Sequence, residues 1–496
     1  MQPVTVHCRA PEGLESPEVS VEVYLGPGLP GLSIVGMVET AVKESRDRVR
    51  AAIQSTGFSM PDRRIVVSLA PADLPKSGSR YDLAIAVGIL CASGQVPTAM
   101  LGQCEFLGEL SLAGELRPVS GSLPVAMGAL TRGRRIILPL SCRNEAGLLN
   151  SKNVLIAADL LDVTAFLQGN RNLPAAGYSD PVHPPAGPDL ADVQGQAVAR
   201  RALEIAAVGE HHLLMNGPPG TGKSMLARRL ATILPPLSNE AALETAAIYS
   251  LRGEHLPAWK IRPFRSPHHS ATAAALAGGS SNPRPGEISL AHNGILFLDE
   301  LPEFNRGTLE VLREPLERGV VSIARARRTV IYPAKFQLIA AMNPCPCGYL
   351  GDSRQGCRCT SDQVSRYAGR VSGPLLDRID LRVQVNREPV TLSKTTLSAE
   401  SSSAVRQRVI AAVAKRAERG NVSNARLDST GLKQWCWPND AGAQLLEHAA
   451  NEFSLSRRAC NRTLRVARSI ADLADSPQVR KTHIAEALSL RKPGQV

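Results

Sequence analysis

Residues 217–224 read GPPGTGKS and satisfy the pattern G-x-x-x-x-G-K-[ST] at every required position. The segment follows an apolar run, Leu213, Leu214 and Met215, and precedes the helix-like stretch MLARRLATIL. A phosphate-binding loop of this kind works only between a strand and the helix that leaves it. The spacing therefore predicts a parallel α/β sheet with the loop at its carboxyl edge. Gly217, Gly220 and Gly222 let the backbone wrap so that its N–H groups face phosphate oxygens, and the new helix brings its positive dipole end to the same anion. Pro218, Pro219 and Thr221 complete the loop. Lys223 is expected to reach the β- and γ-phosphates, and Ser224 to hold Mg²⁺.

Such a loop needs a metal carboxylate and a group that activates water. The segment GILFLDE, residues 294–300, supplies both, because its apolar run predicts a buried strand with two acids at its end. Asp299 is assigned to the Mg²⁺ and Glu300 to the base that orients and deprotonates the attacking water. The next buried run, FQLIAAMN, ends in Asn343, whose amide is placed to fix that water. Charge developing on the transferred phosphoryl group calls for arginines. Two candidates are Arg378 in GPLLDRIDL and Arg458 in LSRRA, the former suited to presentation toward a neighbouring subunit.

The 496 residues predict about three domains. Pro- and Gly-rich AAGYSDPVHPPAGPD, residues 175–189, reads as a linker, and the Ser/Thr-rich stretch 388–403 as a connector. The expected division is a mixed α/β domain over 1–174, the nucleotide-binding core over 190–387, and a helical domain over 404–496. In the last of these, Leu464, Ala467, Ile470 and Ala474 predict a buried stripe. No apolar stretch reaches spanning length and the N-terminus lacks the order of a signal peptide, so the expectation is a cytoplasmic chain with no membrane partner. The formal charge is +12, and residues 405–496 alone carry 16 Lys/Arg against 8 Asp/Glu. That asymmetry favours an anionic partner.

Taken in order, GPPGTGKS, GILFLDE, AAMN, LLDRIDL and LSRRA resemble the magnesium-chelatase-like branch of the AAA+ ATPases. The segments APADLPKSGSRYDLAIAVGIL, FRSPHHSATAAALAGG, PRPGEISLAHNGILFLDELPEF and AAMNPCPCGY resemble more closely the YifB/ComM family of competence-associated helicases, along essentially the whole chain. The resemblance implies an ATP- and Mg²⁺-dependent homohexamer acting on single-stranded and branched DNA, with a recombinase–DNA filament as a further partner. It implies ATP-driven branch migration as an invading single strand is extended into the chromosome during natural transformation. It makes Arg378 an arginine finger acting in trans, Asn343 sensor 1 and Arg458 sensor 2. It also implies an N-terminal α+β domain like that of Lon protease, a central AAA+ core and a C-terminal helical lid. In the N-terminal domain Arg80 and Leu123 fall where a Ser-Lys dyad would stand, so proteolysis is not expected. The competing class is an AAA+ chaperone or chelatase-type subunit remodelling a protein partner, which would share the nucleotide site.

Ten cysteines in a chain read as cytoplasmic are not expected to pair as disulfides. Four cluster in CPCGYLGDSRQGCRC as Cys345, Cys347, Cys357 and Cys359, a set open to three readings: a tetrahedral zinc site, ordinary thiols or redox chemistry. The stretch GVVSIARARRTVIYPA reads as a hairpin with Arg325, Arg327 and Arg328 near its tip, cations suited to DNA phosphates in a ring's channel. His268 and His269 are expected to meet DNA or a neighbouring subunit. No acid lies close to them in sequence to complete a metal site.

Overall fold

The computed structural model describes residues 2–36, 40–177, 187–279, 283–325, 328–352, 354–387, 399–420 and 422–491. They fall into two units, Met1–His183 with Asn239–Trp259, and Pro184–Ser238 with Lys260–Val496.

In the first unit the alternating runs of the sequence become a seven-stranded mixed sheet. Its order is Gly31–Val35, Arg64–Ala70, Glu18–Gly26, Val4–Arg9, Cys104–Phe106, Arg135–Pro139, Val154–Ala157. Period-two burial along Glu18–Gly26 and Arg64–Ala70 turns one face to the core. Helix Asp82–Ala92 is apolar nearly all round and buried from Asp82 to Cys91, as its composition requires. Helix Asn239–Arg252 lies in sequence beyond the phosphate loop yet belongs to this unit. Its Ala246 and Ala247 pack on Leu123, and Ser250 accepts from Gly121 N through its carbonyl at 2.9 Å. Leu123 is fully buried, while Arg80 donates to Ser120 O at 3.1 Å, so neither offers a nucleophile or a lysine.

The second unit is built on a five-stranded parallel sheet ordered Phe264–Arg265, Ile295–Leu298, Gln337–Met342, Leu213–Asn216, Leu381–Gln384. Its inner strands are fully or almost fully buried, which is what continuous apolar runs such as ILFL and QLIAAM encode. The chain order reverses where Leu213–Asn216 lies beside Gln337–Met342, so a crevice opens at the carboxyl ends of these strands. Five helices follow among the described residues, Ser402–Glu418, Ser429–Trp435, Asp440–Glu452, Arg457–Leu473 and Lys481–Ser489. Helix Arg457–Leu473 starts at Ser456, whose hydroxyl accepts from Ala459 N at 3.2 Å. It buries Leu464, Ala467 and Ile470 as expected. Ala474 corrects the predicted stripe: the helix stops at Leu473, so Ala474 sits at the C-cap and is exposed. Buried Arg468 is fully used, donating to Asp472 at 3.0 Å and to Ser476 O and Pro477 O.

The basic stretch forms the expected hairpin, Val320–Arg325 antiparallel to Arg328–Pro333, with Arg325 opposite Arg328. Arg327 lies outside the described residues. Among the described residues no helix is long and apolar enough to cross a membrane.

Candidate nucleotide site

Strand Leu213–Asn216 delivers the loop to the crevice, and Val385 ties it from the other side by donating its N–H to Asn216 O at 2.7 Å. Gly217 then passes so close to Val385 O that any Cβ would collide with it. Gly220 and Gly222 take φ of +76° and +87°, the left-handed turns that aim loop amides inward before helix Lys223–Ile233 begins. Thr221 fastens the loop by donating its hydroxyl to Pro218 O at 2.9 Å.

Lys223 is buried and donates to Gly217 O at 2.6 Å, Pro218 O at 2.8 Å and Asn343 Oδ1 at 3.1 Å. Burial pulls its ammonium down to about 8, against the pull of Asp299 and Glu300. A bound phosphate would supply the negative charge that holds it protonated. Lys223, Asn343 and the carbonyls of Gly217 and Pro218 thus share one knot of hydrogen bonds.

Ser224 Oγ lies 2.5 Å from Asp299 Oδ2, across the gap between helix Lys223–Ile233 and strand Ile295–Leu298. Two hard oxygen donors converging beside a phosphate cradle fit Mg²⁺, which takes one or two protein oxygens and keeps the rest for water and phosphate. Glu300 follows with φ of +52°, a left-handed conformation unusual for a side-chain-bearing residue and costing of order 1 kcal/mol. That turn, supported by Glu300 N donating to Asp299 Oδ1 at 3.0 Å, swings its carboxylate out of the strand, where half of it remains exposed.

Histidine supplies a partner that sequence distance concealed. His269 Nδ1 stands 3.4 Å from Glu300 Oε2, so an acid does lie beside the histidine pair, contrary to the expectation from sequence. Its ring stacks on that of His268 with centroids 4.1 Å apart.

Arg378 occupies the opposite edge. Strand Leu381–Gln384 runs parallel to Leu213–Asn216 with Leu213 opposite Leu381. Arg378 precedes its start, whereas the phosphate loop follows the other end, and four residues of strand separate the two by at least ~10 Å. Its guanidinium is held by Pro374 O at 2.6 Å and by Glu317. A cleft of about 280 Å³ there is lined by Arg378, Arg458, Arg462 and Arg465 with Glu317 and Asp377. Of the pair at the start of its helix, Arg458 and not Arg457 lines this cleft. Arg462 in its wall is held by buried Asp380, which accepts from it at 2.8 Å and contacts His211 Nδ1 at 3.2 Å. His211 and Arg462 hold the Asp380 carboxyl far below the usual carboxylate range despite burial.

The four cysteine sulfurs come together, all within 4.8 Å of one another, in the loop that leaves Asn343. Cys8, Cys91, Cys104, Cys142 and Cys436 are buried, and Cys8, Cys91 and Cys436 have thiols pushed up to about 12 by desolvation, the state of structural cysteines.

Comparison with known proteins covers the chain in three pieces. The family described as magnesium chelatase, subunit ChlI, matches residues 189–392, its C-terminal counterpart residues 399–491, and the family described as subunit ChlI of Mg-chelatase residues 21–141. The YifB protein of Escherichia coli K12 is 49% identical over 489 residues, 98% of this chain and 96% of its own. The competence protein ComM of Haemophilus influenzae is 47% identical over 494 residues, 98% and 97% of the two chains. A magnesium-chelatase 67 kDa subunit of Chlorobaculum tepidum is 27% identical over 157 residues, 31% of this chain and 23% of its own.

Proposed function

The chain belongs to the YifB/ComM family of magnesium-chelatase-like AAA+ proteins, and from that premise we propose an ATP-driven hexameric DNA translocase. It migrates branches as incoming single-stranded DNA is recombined into the chromosome. The observation that carries the ATPase part is the convergence of Lys223, Ser224, Asp299, Glu300 and Asn343 on one edge of the parallel sheet. Lys223 and the loop amides grip the β- and γ-phosphates, and Asn343 orients the water. Glu300 accepts that water's proton at Oε1 or Oε2, its carboxylate lying beside His269. Mg²⁺ held by Ser224 and Asp299 neutralises phosphate charge when bound.

Arg378 lies at the strand end away from its own loop and Arg458 lines the same cleft, which supports a ring in which each subunit offers its arginine cleft to the neighbour's γ-phosphate. The cysteine cluster is read as a zinc site, because thiolates about 2.3 Å from a tetrahedral zinc stand about 3.8 Å from one another. The sulfurs of Cys345, Cys347 and Cys357 lie 3.3, 3.6 and 3.7 Å apart, close to the edge lengths of such a tetrahedron and far from a disulfide bond.

DNA as the substrate draws on the relative named for competence, the basic final segment, and the hairpin that pairs Arg325 with Arg328. Single-stranded DNA binding is expected to weaken steeply between low and high salt. Replacing Arg325 and Arg328 by Ala should flatten the slope of log K against log salt by about 1 for each phosphate that is no longer neutralised. A fluorescence-anisotropy titration over a salt series measures both. Binding too weak to detect at low salt would move the protein to the class that remodels a protein partner.

A further inference from the structure

The cysteine loop does more than stand near the nucleotide site. Only Pro344 separates Asn343, whose amide oxygen accepts from Lys223, from the first cysteine, Cys345. Gly348 then turns with φ of +86° directly beneath the phosphate loop, where a Cβ would stand 2.7 Å from Pro219 Cδ. No residue but glycine lets the two loops touch this closely. Farther along, Asp352 Oδ1 accepts from Arg354 N at 2.7 Å. Its other oxygen lies 3.2 Å from Arg387 Nε. Arg387 sits across the Tyr349 ring, 5.7 Å from its centroid, and points Nη2 at Pro219 O, 3.4 Å away. The loop between the two cysteine pairs thus meets Pro219 twice, once by packing at Gly348 and once through the Asp352–Arg387 strut.

We propose that zinc bound by Cys345, Cys347, Cys357 and Cys359 clasps the phosphate loop through Gly348 and Arg387, so that metal occupancy and nucleotide affinity are coupled. This rests on the nucleotide and zinc readings above. Unclasped, Asn343 and Pro219 lose a shared support. The coupling is reciprocal by linkage: zinc tightens nucleotide binding, and nucleotide tightens zinc binding by the same factor, expected to be about tenfold.

The test uses the purified full chain. Metal content is measured by mass spectrometry, zinc release by a zinc-selective chromogenic chelator, and affinity by titration with a fluorescent, non-hydrolysable ATP analogue and Mg²⁺. The expected results are one zinc per chain, zinc Kd against the chelator lowered about tenfold and its release slowed by the analogue in the parent but not in Lys223→Ala, and analogue Kd raised about tenfold after zinc extraction. Re-adding zinc should restore the affinity. Arg387→Ala separates coupling from folding: it should keep its zinc yet lose the protection that nucleotide gives.

Zinc release indifferent to a saturating analogue, with unchanged Kd after extraction, overturns the clasp while leaving both sites standing. A parent without zinc overturns the metal reading, and a parent that does not bind the analogue overturns the nucleotide reading. Affinity lost on oxidation and restored by a thiol, with no metal present, would make the cluster a redox device and refute the proposal.

Discussion

Glu300→Gln is expected to bind ATP as the parent does and to hydrolyse it about 10²-fold more slowly or worse. The substitution keeps the size of the side chain and leaves the left-handed turn at φ +52° in place. It removes only the ability of the exposed carboxylate to accept the water's proton. The Lys223 knot with Gly217 O, Pro218 O and Asn343 is untouched, so affinity for a non-hydrolysable analogue should be preserved. Single-turnover hydrolysis alongside analogue binding measures the two separately. Turnover at the parental rate would remove Glu300 from the base role.

Arg378→Ala should be as damaging, by about a thousandfold in turnover, but in a way that depends on company. Arg378 stands at the amino end of strand Leu381–Gln384 while its own phosphate loop lies past the carboxyl end of the neighbouring strand, so the proposed ring has it complete another subunit's site. Lys223→Ala should be inactive for the opposite reason, lacking the grip on phosphate while keeping the finger. Mixed in equal amounts, the two inactive variants should regain activity, because about one interface in four then joins an intact loop to an intact finger in a head-to-tail ring. Mixtures as inactive as their components would place the finger in cis or exclude the ring. Arg458, in the same cleft, should behave like Arg378 in this assay.

The parts of this arrangement that sequence revealed are those whose signal is local. GPPGTGKS and GILFLDE announce both residue type and place, since a buried apolar run fixes a strand and the acids or glycines at its end fix the edge. What sequence did not reveal is how distant segments meet. His269 reaches Glu300 only because strand Phe264–Arg265 pairs with Ile295–Leu298, a register no spacing encodes. Helix Asn239–Arg252 has the alanine-rich face of many surface helices, and nothing in it says that Ala246 and Ala247 will pack on Leu123, far earlier in the chain. Arg387, one of many arginines in a basic chain, gains meaning only through Asp352 and Pro219. Arg378 and Arg458 were found separately by pattern, whereas their common cleft depends on how helix Arg457–Leu473 packs against the Asp380 loop.

The central claim is that ATP hydrolysis moves DNA branches, and strand displacement from a labelled three-strand branched DNA tests it most directly. With ATP and Mg²⁺ the parent should release the labelled strand, and Lys223→Ala, prepared in the same way, should not. No displacement by an actively hydrolysing parent would contradict the account and turn the search toward a protein partner.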